Sequence, residues 1–421
     1  MKTQWISLLL WTIALLGLSV WAAVAGSWLH LSLPASPTGT QGPSVDSKYG
    51  TAQTDFGLEL FRRIAETEKN KNVFVSPSSA AVVLAMVYNG ARGSTQAAME
   101  QTLKLRDTTV DELNKEASAW LKAIGSPTPG VEMSIGNSVW LRNGVPLQPQ
   151  FKQRIEQTYR AHVTNLDLSK PDAARIINAW VKSETNNRIE EIVTPPISND
   201  EMLFLINALY FKGRWTTPFD PKQTSSAPFT LPNGTTINVP TMQRTNNYET
   251  KNGKGYRAVR LPYGEGRYSM YVFVPTEGAT VYDLVSQLTP DTWRSMIIGF
   301  NKRNLPLLMP KFTFNYAITL NEPLKAIGMA EAFDATRSDL SGMVDAAWLR
   351  GNRLYISEVK QKTFVEVNEE GTEAAASTSA GISVTSMPAP FAVDRPFLAA
   401  IHDGATNTVL FLGIVVDPRH I

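Results

Sequence analysis

The sequence of 421 residues offers few side chains that could catalyse a reaction. It contains no cysteine, which excludes thiolate nucleophiles, disulfides and cysteine-ligated metal centres. Its histidines are His30, His162, His402 and His420, and none lies at metal-ligand spacing from another. A serine hydrolase triad requires a histidine beside its nucleophile, but no G-x-S-x-G motif is present. His402 lies within a strand-like segment, and we predict a structural role for it.

The remaining motifs are equally poor candidates for catalysis. The glycine pairs in "NGKGY" and "YGEGR" lack the third glycine of a phosphate-binding loop and fit hairpin turns. The carboxylate pairs Glu190-Glu191 and Glu369-Glu370 are adjacent in sequence, so their side chains point apart on a regular element. The sequence therefore predicts a binding or inhibitory protein, without enzymatic activity, cofactor or metal.

The overall charge gives no electrostatic case for binding to nucleic acid or to an anionic membrane surface. There are 40 basic and 38 acidic residues, and the net charge is +2. This balance predicts no binding to nucleic acid. Apolar residues make up 43% and charged residues 19% of the chain, as in an ordinary globular protein.

The first 25 residues predict export from the cytoplasm. Lys2 precedes an uncharged apolar run from Ile6 to Ala25, which ends in the small-x-small site Ala23-Val24-Ala25. This pattern is typical of a secretory signal peptide. The run also approaches the ~20 residues that span a bilayer, so an uncleaved membrane anchor is the alternative. Either interpretation predicts a secreted, extracellular or periplasmic body, and export without cysteines favours a prokaryotic source.

The rest of the chain predicts one domain behind a tether. Residues 26–53 include a stretch rich in Ser, Pro, Gly and Thr, which indicates a flexible linker. Within residues 54–421, helical periodicity dominates up to Ile189 and strand-like segments dominate from Met202. Helices followed by strands predict an α+β fold.

The segment "NEEGTEAAASTSAGISVTSMP" from Asn368 to Pro388 lies between two strand-like segments. It has no charge after Glu373 and no proline before Pro388. In a strand its side chains would alternate between the two faces of a sheet. Small or apolar residues would then face the core at Thr372, Ala374, Ala376, Thr378, Ala380 and Ile382. Glu373, Ala375, Ser377, Ser379, Gly381 and Ser383 would face solvent. A passive linker would not need this one-sided pattern.

Several motifs in order together resemble the serpin family. They include "NVFVSPSS", "INALYFKGRWTTPFD", "VNEEGTEAAA", "RPFLAAIHD" and "LFLGIVVDP", and they extend over essentially all of residues 54–421. The resemblance implies three β-sheets, about nine helices and an exposed C-terminal reactive loop. It also implies suicide inhibition, in which a serine protease cleaves the loop and the loop inserts as a strand into the main sheet with the acyl-enzyme attached.

The resemblance also implies roles for individual residues. It places the scissile bond between Thr385 and Ser386. Counting residues forward from Glu369 and backward from Pro396 gives the same position. Val384 and Ile382 would occupy subsites of the protease. The hinge that enters the sheet first would comprise Glu369, Gly371, Thr372, Glu373, Ala374, Ala375 and Ala376.

Two further groups match positions that control sheet opening in the family. Ser76, Ser79 and Asn207 match a buried polar cluster called the shutter, and the two serines could cap a helix at the same time. Trp215 matches the tryptophan of the breach, where the hinge first enters. Many serpins have a histidine in the shutter where this chain has Gln361, so opening triggered by titration at that position is in doubt.

The residues around the scissile bond predict the class of target protease. Thr385 is small and β-branched, and Ser377 to Pro388 contain no Lys or Arg. We therefore expect an elastase-like or subtilisin-like protease. A non-inhibitory serpin that acts as a carrier or chaperone-like binder is the alternative, but its hinge would usually be bulky or charged.

A polysaccharide-activated inhibitor is also disfavoured. The segment "VDELNKEASAWLKAI" has only Lys115 and Lys122 as basic residues, so no heparin-like activator is expected. We expect a monomer, in which insertion of one molecule's loop into another's sheet could cause polymerisation.

Overall fold

The computed structural model describes residues 48–198, 200–371 and 388–419. These ranges contain nine α-helices and fourteen strands, which confirms the α+β class. The helices are α1 (Lys48–Thr67), α2 (Pro77–Tyr88), α3 (Gly93–Thr102), α4 (Val110–Ile124), α5 (Pro149–Tyr159), α6 (Asp172–Glu184), α7 (Val281–Ser286), α8 (Pro290–Ile297) and α9 (Asn321–Leu324).

The strands form two hydrogen-bonded networks. They are β1 (Val73–Val75), β2 (Val131–Arg142), β3 (His162–Leu166), β4 (Leu203–Gly213), β5 (Ser225–Thr230), β6 (Thr236–Gly253), β7 (Tyr256–Tyr263), β8 (Tyr268–Pro275), β9 (Asn301–Pro310), β10 (Phe312–Thr319), β11 (Glu358–Val367), β12 (Phe391–Ala392), β13 (Phe397–Asp403) and β14 (Thr408–Val415). The smaller network has the order β10-β11-β4-β2-β3. The larger has the order β1-β14-β13-β8-β7-β6-β9-β12, and β5 also pairs with β6.

Strand β6 explains why three expected sheets appear as two networks. It is 18 residues long and pairs in succession with three partners. Residues Thr236–Thr241 pair with β5, Thr241–Thr250 with β9, and Glu249–Gly253 with β7. One continuous strand therefore joins two of the sheets.

Helix α2 lies at the centre of the molecule. All 12 of its residues are buried, as its apolar sequence predicts. It contacts β2 and β4 of the smaller network and β14 of the larger. Ser76 caps its N-terminus, where the Oγ accepts a hydrogen bond from the N–H of Ser79, and Pro77 occupies the first turn. The cap holds both serines directly beneath the smaller sheet.

The predicted boundary between linker and domain, at residues 53 and 54, is wrong. Helix α1 begins at Lys48, and its first turns are part of the core. Tyr49 and Gln53 are buried, and the Gln53 Nε2 donates to the carbonyl of Ser78 at 3.3 Å. The polar composition of the segment concealed these tertiary contacts.

The export prediction for residues 1–25 and the rest of the predicted linker lie outside the described residues. Among the helices of the described part of the chain, none is both long and apolar enough to cross a membrane.

His402 is a buried residue of β13, in agreement with a structural role. Its Nε2 lies 3.2 Å from the Oδ1 of Asn407, and its ring packs near Tyr271 and Trp293. Burial lowers the pKa of His402 to about 4, although the nearby Asp403 carboxylate opposes the shift.

This pKa predicts a loss of stability in mild acid. Below pH 6.5 the unfolded chain binds a proton at His402 that the folded chain excludes, so unfolding becomes easier as the pH falls towards 4. At pH 5 this effect amounts to about 2 kcal/mol. Urea unfolding of wild type and His402→Gln at pH 7 and pH 5 measures it. We expect the wild type to lose more stability than the variant, and equal losses would contradict the assignment.

Candidate functional site

Strands β4 and β11 form a parallel pair in the middle of the smaller sheet. They pair from Phe204 with Glu358 to Phe211 with Val365. Their outer neighbours β2 and β10 both run antiparallel to them. A new strand between β4 and β11 could be antiparallel to both, and a chain that turns back after β11 has this direction. We call the β4–β11 boundary the seam.

A row of amide side chains crosses the seam. Asn207 on β4 is opposite Asn137 on β2 and opposite Gln361 on β11. The Nε2 of Gln361 donates to the Oδ1 of Asn207 at 2.8 Å. The Nδ2 of Asn207 donates to the Oδ1 of Asn137, also at 2.8 Å. All three side chains are buried, so each relies on the others for hydrogen bonds.

The start of α2 completes this cluster. The Gln361 side chain accepts from the backbone N–H of Ser76 at 2.8 Å and donates to its carbonyl at 2.9 Å. The Nδ2 of Asn207 also donates to the Oγ of Ser79. The structure thus brings together the four residues predicted for the shutter, and Ser76 is at the same time a helix cap.

Asn137 is a member of the cluster that sequence reasoning missed. It is buried in β2, and its Oδ1 accepts a hydrogen bond from the Nδ2 of Asn207, which lies directly opposite. An asparagine within the otherwise strand-like "SIGNSVWL" was a usable signal, because a polar side chain in a buried strand requires a partner. The cluster contains only amides and hydroxyls, so it carries no group that titrates near neutral pH.

Trp215 fastens the chain that leaves β11. Its indole stacks on Tyr263 with ring centroids 4.3 Å apart. The indole Nε1 donates to the carbonyl of Asn368 at 2.8 Å, and the backbone N–H donates to the carbonyl of Glu370 at 3.2 Å. Trp215 thus binds the two residues on either side of Glu369, the first residue of the predicted hinge, and its predicted part in hinge entry stays a prediction.

Glu369 fixes the same segment by its charge. Its carboxylate forms a salt bridge of 2.8 Å with Lys311 and accepts a hydrogen bond of 2.6 Å from Thr224. Burial alone would raise the pKa of Glu369, but the hydrogen bonds from Lys311 and Thr224 outweigh it and lower the pKa below its usual value. The carboxylate is therefore charged at neutral pH, and its contact weakens only as the solution becomes acidic.

Gly371 is required by the geometry of the turn that follows. Its φ is +69°, in the left-handed region that favours glycine. A Cβ atom here would collide with the backbone nitrogen of Trp215 and the carbonyl oxygen of Gly213. The N–H of Gly371 donates to the carbonyl of Asn368 at 3.3 Å and closes the turn.

The rest of the predicted loop lies outside the described residues. This applies to the hinge residues Thr372, Glu373, Ala374, Ala375 and Ala376, to Ile382 and Val384, and to the bond Thr385-Ser386. The described chain resumes at Pro388, and three exposed residues lead into β12.

The cluster at Asn207 and the contacts of Trp215 are separate sites, since six strand residues from Asn207 to Gly213 span ~20 Å.

Comparison with known proteins identifies the family. The family model "Serpin (serine protease inhibitor)" matches residues 51–418. The chain belongs to the serpin family. It is similar to glia-derived nexin of Mus musculus, with 32% identity over 86% of this chain and 91% of the relative. It is also similar to plasminogen activator inhibitor 1 of Sus scrofa, with 32% identity over 87% and 91%.

Solved serpin structures agree with this assignment. Native protease nexin-1 with heparin has a TM-score of 0.80 and 28% identity, over 88% of this chain and 99% of that chain. The thermophilic serpin tengpin, in its native state, has a TM-score of 0.78 and 32% identity, over 88% and 93%. Serpins are typically serine protease inhibitors, and this membership confirms the predicted fold and the prediction that the chain is not an enzyme.

The amide row predicts the effect of a single truncation. Asn207→Ala removes three hydrogen bonds and leaves the polar atoms of Asn137, Gln361 and Ser79 without that partner. The free energy of unfolding should fall by about 1–3 kcal/mol. Urea unfolding measures the loss.

Asn315→Ala is the matched control, because Asn315 is an exposed residue of β10 in the same sheet. Its substitution should change stability by less than about 0.5 kcal/mol. Equal losses in the two variants would show that the row across the seam has no special weight.

Proposed function

We propose that this serpin is a suicide inhibitor of a serine protease, which cleaves the loop at Thr385-Ser386. The observation that carries the proposal is the parallel seam, which adjoins a loop segment fixed at Gly371. A segment returning from Gly371 enters the seam antiparallel to both of its neighbours. The family assignment supports the same function.

In the proposed reaction, the protease serine attacks the carbonyl carbon of Thr385. The bond to the nitrogen of Ser386 breaks, and that nitrogen leaves as an amine after it takes a proton. Thr385 remains joined to the protease as an ester. Residues from Thr372 towards Ile382 then enter the seam, and the ester-linked protease moves with them before water can hydrolyse the ester.

The free energy of insertion comes from new backbone hydrogen bonds. About a dozen added strand residues, at about 1 kcal/mol net for each bond, would contribute on the order of 10 kcal/mol. This is comparable with the stability of a whole domain and is sufficient to distort an attached protease. The side-chain pattern supports insertion, because the residues that would face the core are small or apolar.

Insertion requires the amide row to exchange partners. Gln361 and Asn207 are now joined directly across the seam, and a strand between them separates the two side chains. Since the cluster is neutral, this exchange should not depend on pH between about 6 and 8. The salt bridge of Glu369 with Lys311 must also be released or rearranged as the hinge straightens.

The proposed target is an elastase-like or subtilisin-like protease. Val384 and Thr385 suit a shallow apolar pocket, and Ser377 to Pro388 provide no cation for a trypsin-like pocket. We expect wild type to form a complex with elastase or subtilisin that survives denaturing electrophoresis, and to form none with trypsin. Thr385→Arg should reverse this preference.

A pair of proline variants tests insertion itself. Ala376→Pro removes a backbone donor inside the strand that must enter the sheet, so cleavage should occur without a stable complex. Ala389→Pro makes the same substitution beyond the scissile bond, in exposed chain, and should retain the complex. If both variants retain the complex, insertion along Thr372–Ile382 is not the trapping step. Cleavage of wild type by every protease without a complex would instead favour a non-inhibitory carrier or chaperone-like binder.

We further propose that no polysaccharide activator is needed. The related protease nexin-1 was solved with heparin. In this chain α4 carries two basic residues, Lys115 and Lys122, and three acidic residues, Asp111, Glu112 and Glu116. A helix of net negative charge does not attract a polyanion. Added heparin should therefore leave the rate of complex formation unchanged.

Export through residues 1–25 is also part of the proposal. In a secreting host, cleavage after Ala25 would release a soluble chain that begins at Gly26, whereas an anchor would retain the chain in the membrane fraction. The mass of the protein in each fraction distinguishes the two. A full-length chain in the cytoplasm would contradict export.

A further inference from the structure

Arg257 of β7 binds the segment to which the reactive loop returns. We name Phe391–Asp394 the loop root. We propose that Arg257 is a positioning residue that holds this root while the reactive loop is uncut, and that it has no role after cleavage. This inference rests on the proposed inhibitory function.

The contacts of Arg257 with the root are of three kinds. Its Nη2 donates to the carbonyl of Ala392 at 2.7 Å. Its guanidinium carbon lies 5.1 Å from the ring centroid of Phe391, a cation–π distance. Its Nη2 also lies 3.9 Å from the Oδ1 of Asp394. One side chain therefore contacts three of the four residues of the root.

The root has little regular structure of its own. Strand β12 contains two residues, which pair with Leu307 and Leu308 at the end of the network order. The N–H of Val393 donates to the carbonyl of Leu308 at 2.9 Å, and the carbonyl of Asp394 accepts from Thr230 at 2.8 Å. Two strand residues give little stability alone. Arg257 adds a charged hydrogen bond from β7, a strand that does not pair with β12.

Both ends of the loop are fastened near the same strand. Glu369 binds Lys311, which directly follows β9, and Phe391 pairs with Leu307 within β9. Four residues along a strand separate these points by ~13 Å. The loop therefore leaves and returns at the same end of the molecule.

This arrangement opposes insertion of an uncut loop. Entry of the 11 residues from Thr372 to Ile382 carries the chain ~36 Å along the seam. Only the eight residues 383–390 then lie between Ile382 and the root, and the nine chain steps from Ile382 to Phe391 span at most ~32 Å. Complete insertion of an uncut loop therefore draws this segment towards full extension and pulls on the root, and the contacts of Arg257 resist detachment of the root.

Cleavage of the bond between Thr385 and Ser386 removes this constraint, because the root is then no longer covalently linked to the inserting segment. Arg257 can then affect neither the rate of insertion nor the choice between trapping and hydrolysis. An effect before the cut and none after it distinguishes positioning from general stabilisation.

Three variants of the full chain test the proposal. Arg257→Met keeps an apolar stem but removes the charge and the donors, while Arg257→Lys keeps the charge without the planar fork. Arg260→Met is the matched control on the same strand. Arg260 is exposed to a similar degree, 32% against 30%, and its salt bridge is with Glu249 rather than with the root. Near-ultraviolet circular dichroism establishes that each variant is folded.

The measurements are the half-life of inhibitory activity on standing, the association rate with the protease, and the stoichiometry of inhibition. The stoichiometry is counted as cleaved plus complexed chain per complex, so that uncut inactive chain does not enter it. In Arg257→Met the half-life should fall about tenfold, as the loss of a charged hydrogen bond predicts. Mass spectrometry should show that the inactive chain is uncut. The association rate should fall, the stoichiometry should not change, and Arg257→Lys should lie between Arg257→Met and wild type.

An unchanged half-life in Arg257→Met, or the same decrease in Arg260→Met, would overturn the proposal. A changed stoichiometry would also overturn it, since that quantity is decided after cleavage. If wild type forms no complex with any protease, the proposed function fails separately. The role of Arg257 is then measured by the rate at which the uncut chain becomes resistant to urea, and equal rates in wild type and Arg257→Met would refute it.

Discussion

The direct hydrogen bond between Asn207 and Gln361, across two parallel strands, is the interaction on which the rest of the structure depends. It closes the middle of the smaller sheet and connects that sheet to the start of α2 through Ser76 and Ser79. Each polar group in this row is satisfied only while β4 and β11 are neighbours or while an incoming strand replaces the lost contacts. The closed sheet is thus well bonded, yet it retains a position for one more strand.

The ends of the loop are fastened by contacts of different physical character. The hinge end is held by the Trp215 indole, the salt bridge of Glu369 and a turn that requires glycine at position 371. The returning end is held by a two-residue strand and Arg257. In the proposed mechanism, the hinge end must yield for insertion, whereas the returning end must persist until the protease has cut. Stability and inhibition would then depend on the order in which these contacts break.

Much of this organisation could be predicted from the sequence because its signals are local. The apolar run of α2 and the strand at Leu203–Gly213 follow from residue type and order, whereas the polar cluster at residues 76, 79, 207 and 361 was predicted from the resemblance to serpins. The beginning of the domain at Lys48 could not, because Tyr49 and Gln53 are buried by distant partners that polar composition does not reveal. Arg257 was missed for the same reason, since its partner Ala392 is 135 residues away. Asn137 did have a local signal, as a polar residue in a strand-like segment, but its partner Asn207 is 70 residues away.

If the loop can insert as proposed, the closed seam is not the most stable arrangement of this chain. The most direct test is the melting temperature before and after a single cut within residues 372–387, made by a protease that is not trapped. If the freed segment enters the seam, about a dozen new backbone hydrogen bonds should raise the melting temperature by about 10 °C or more. A melting temperature that is unchanged or lower after the cut would contradict insertion into the seam.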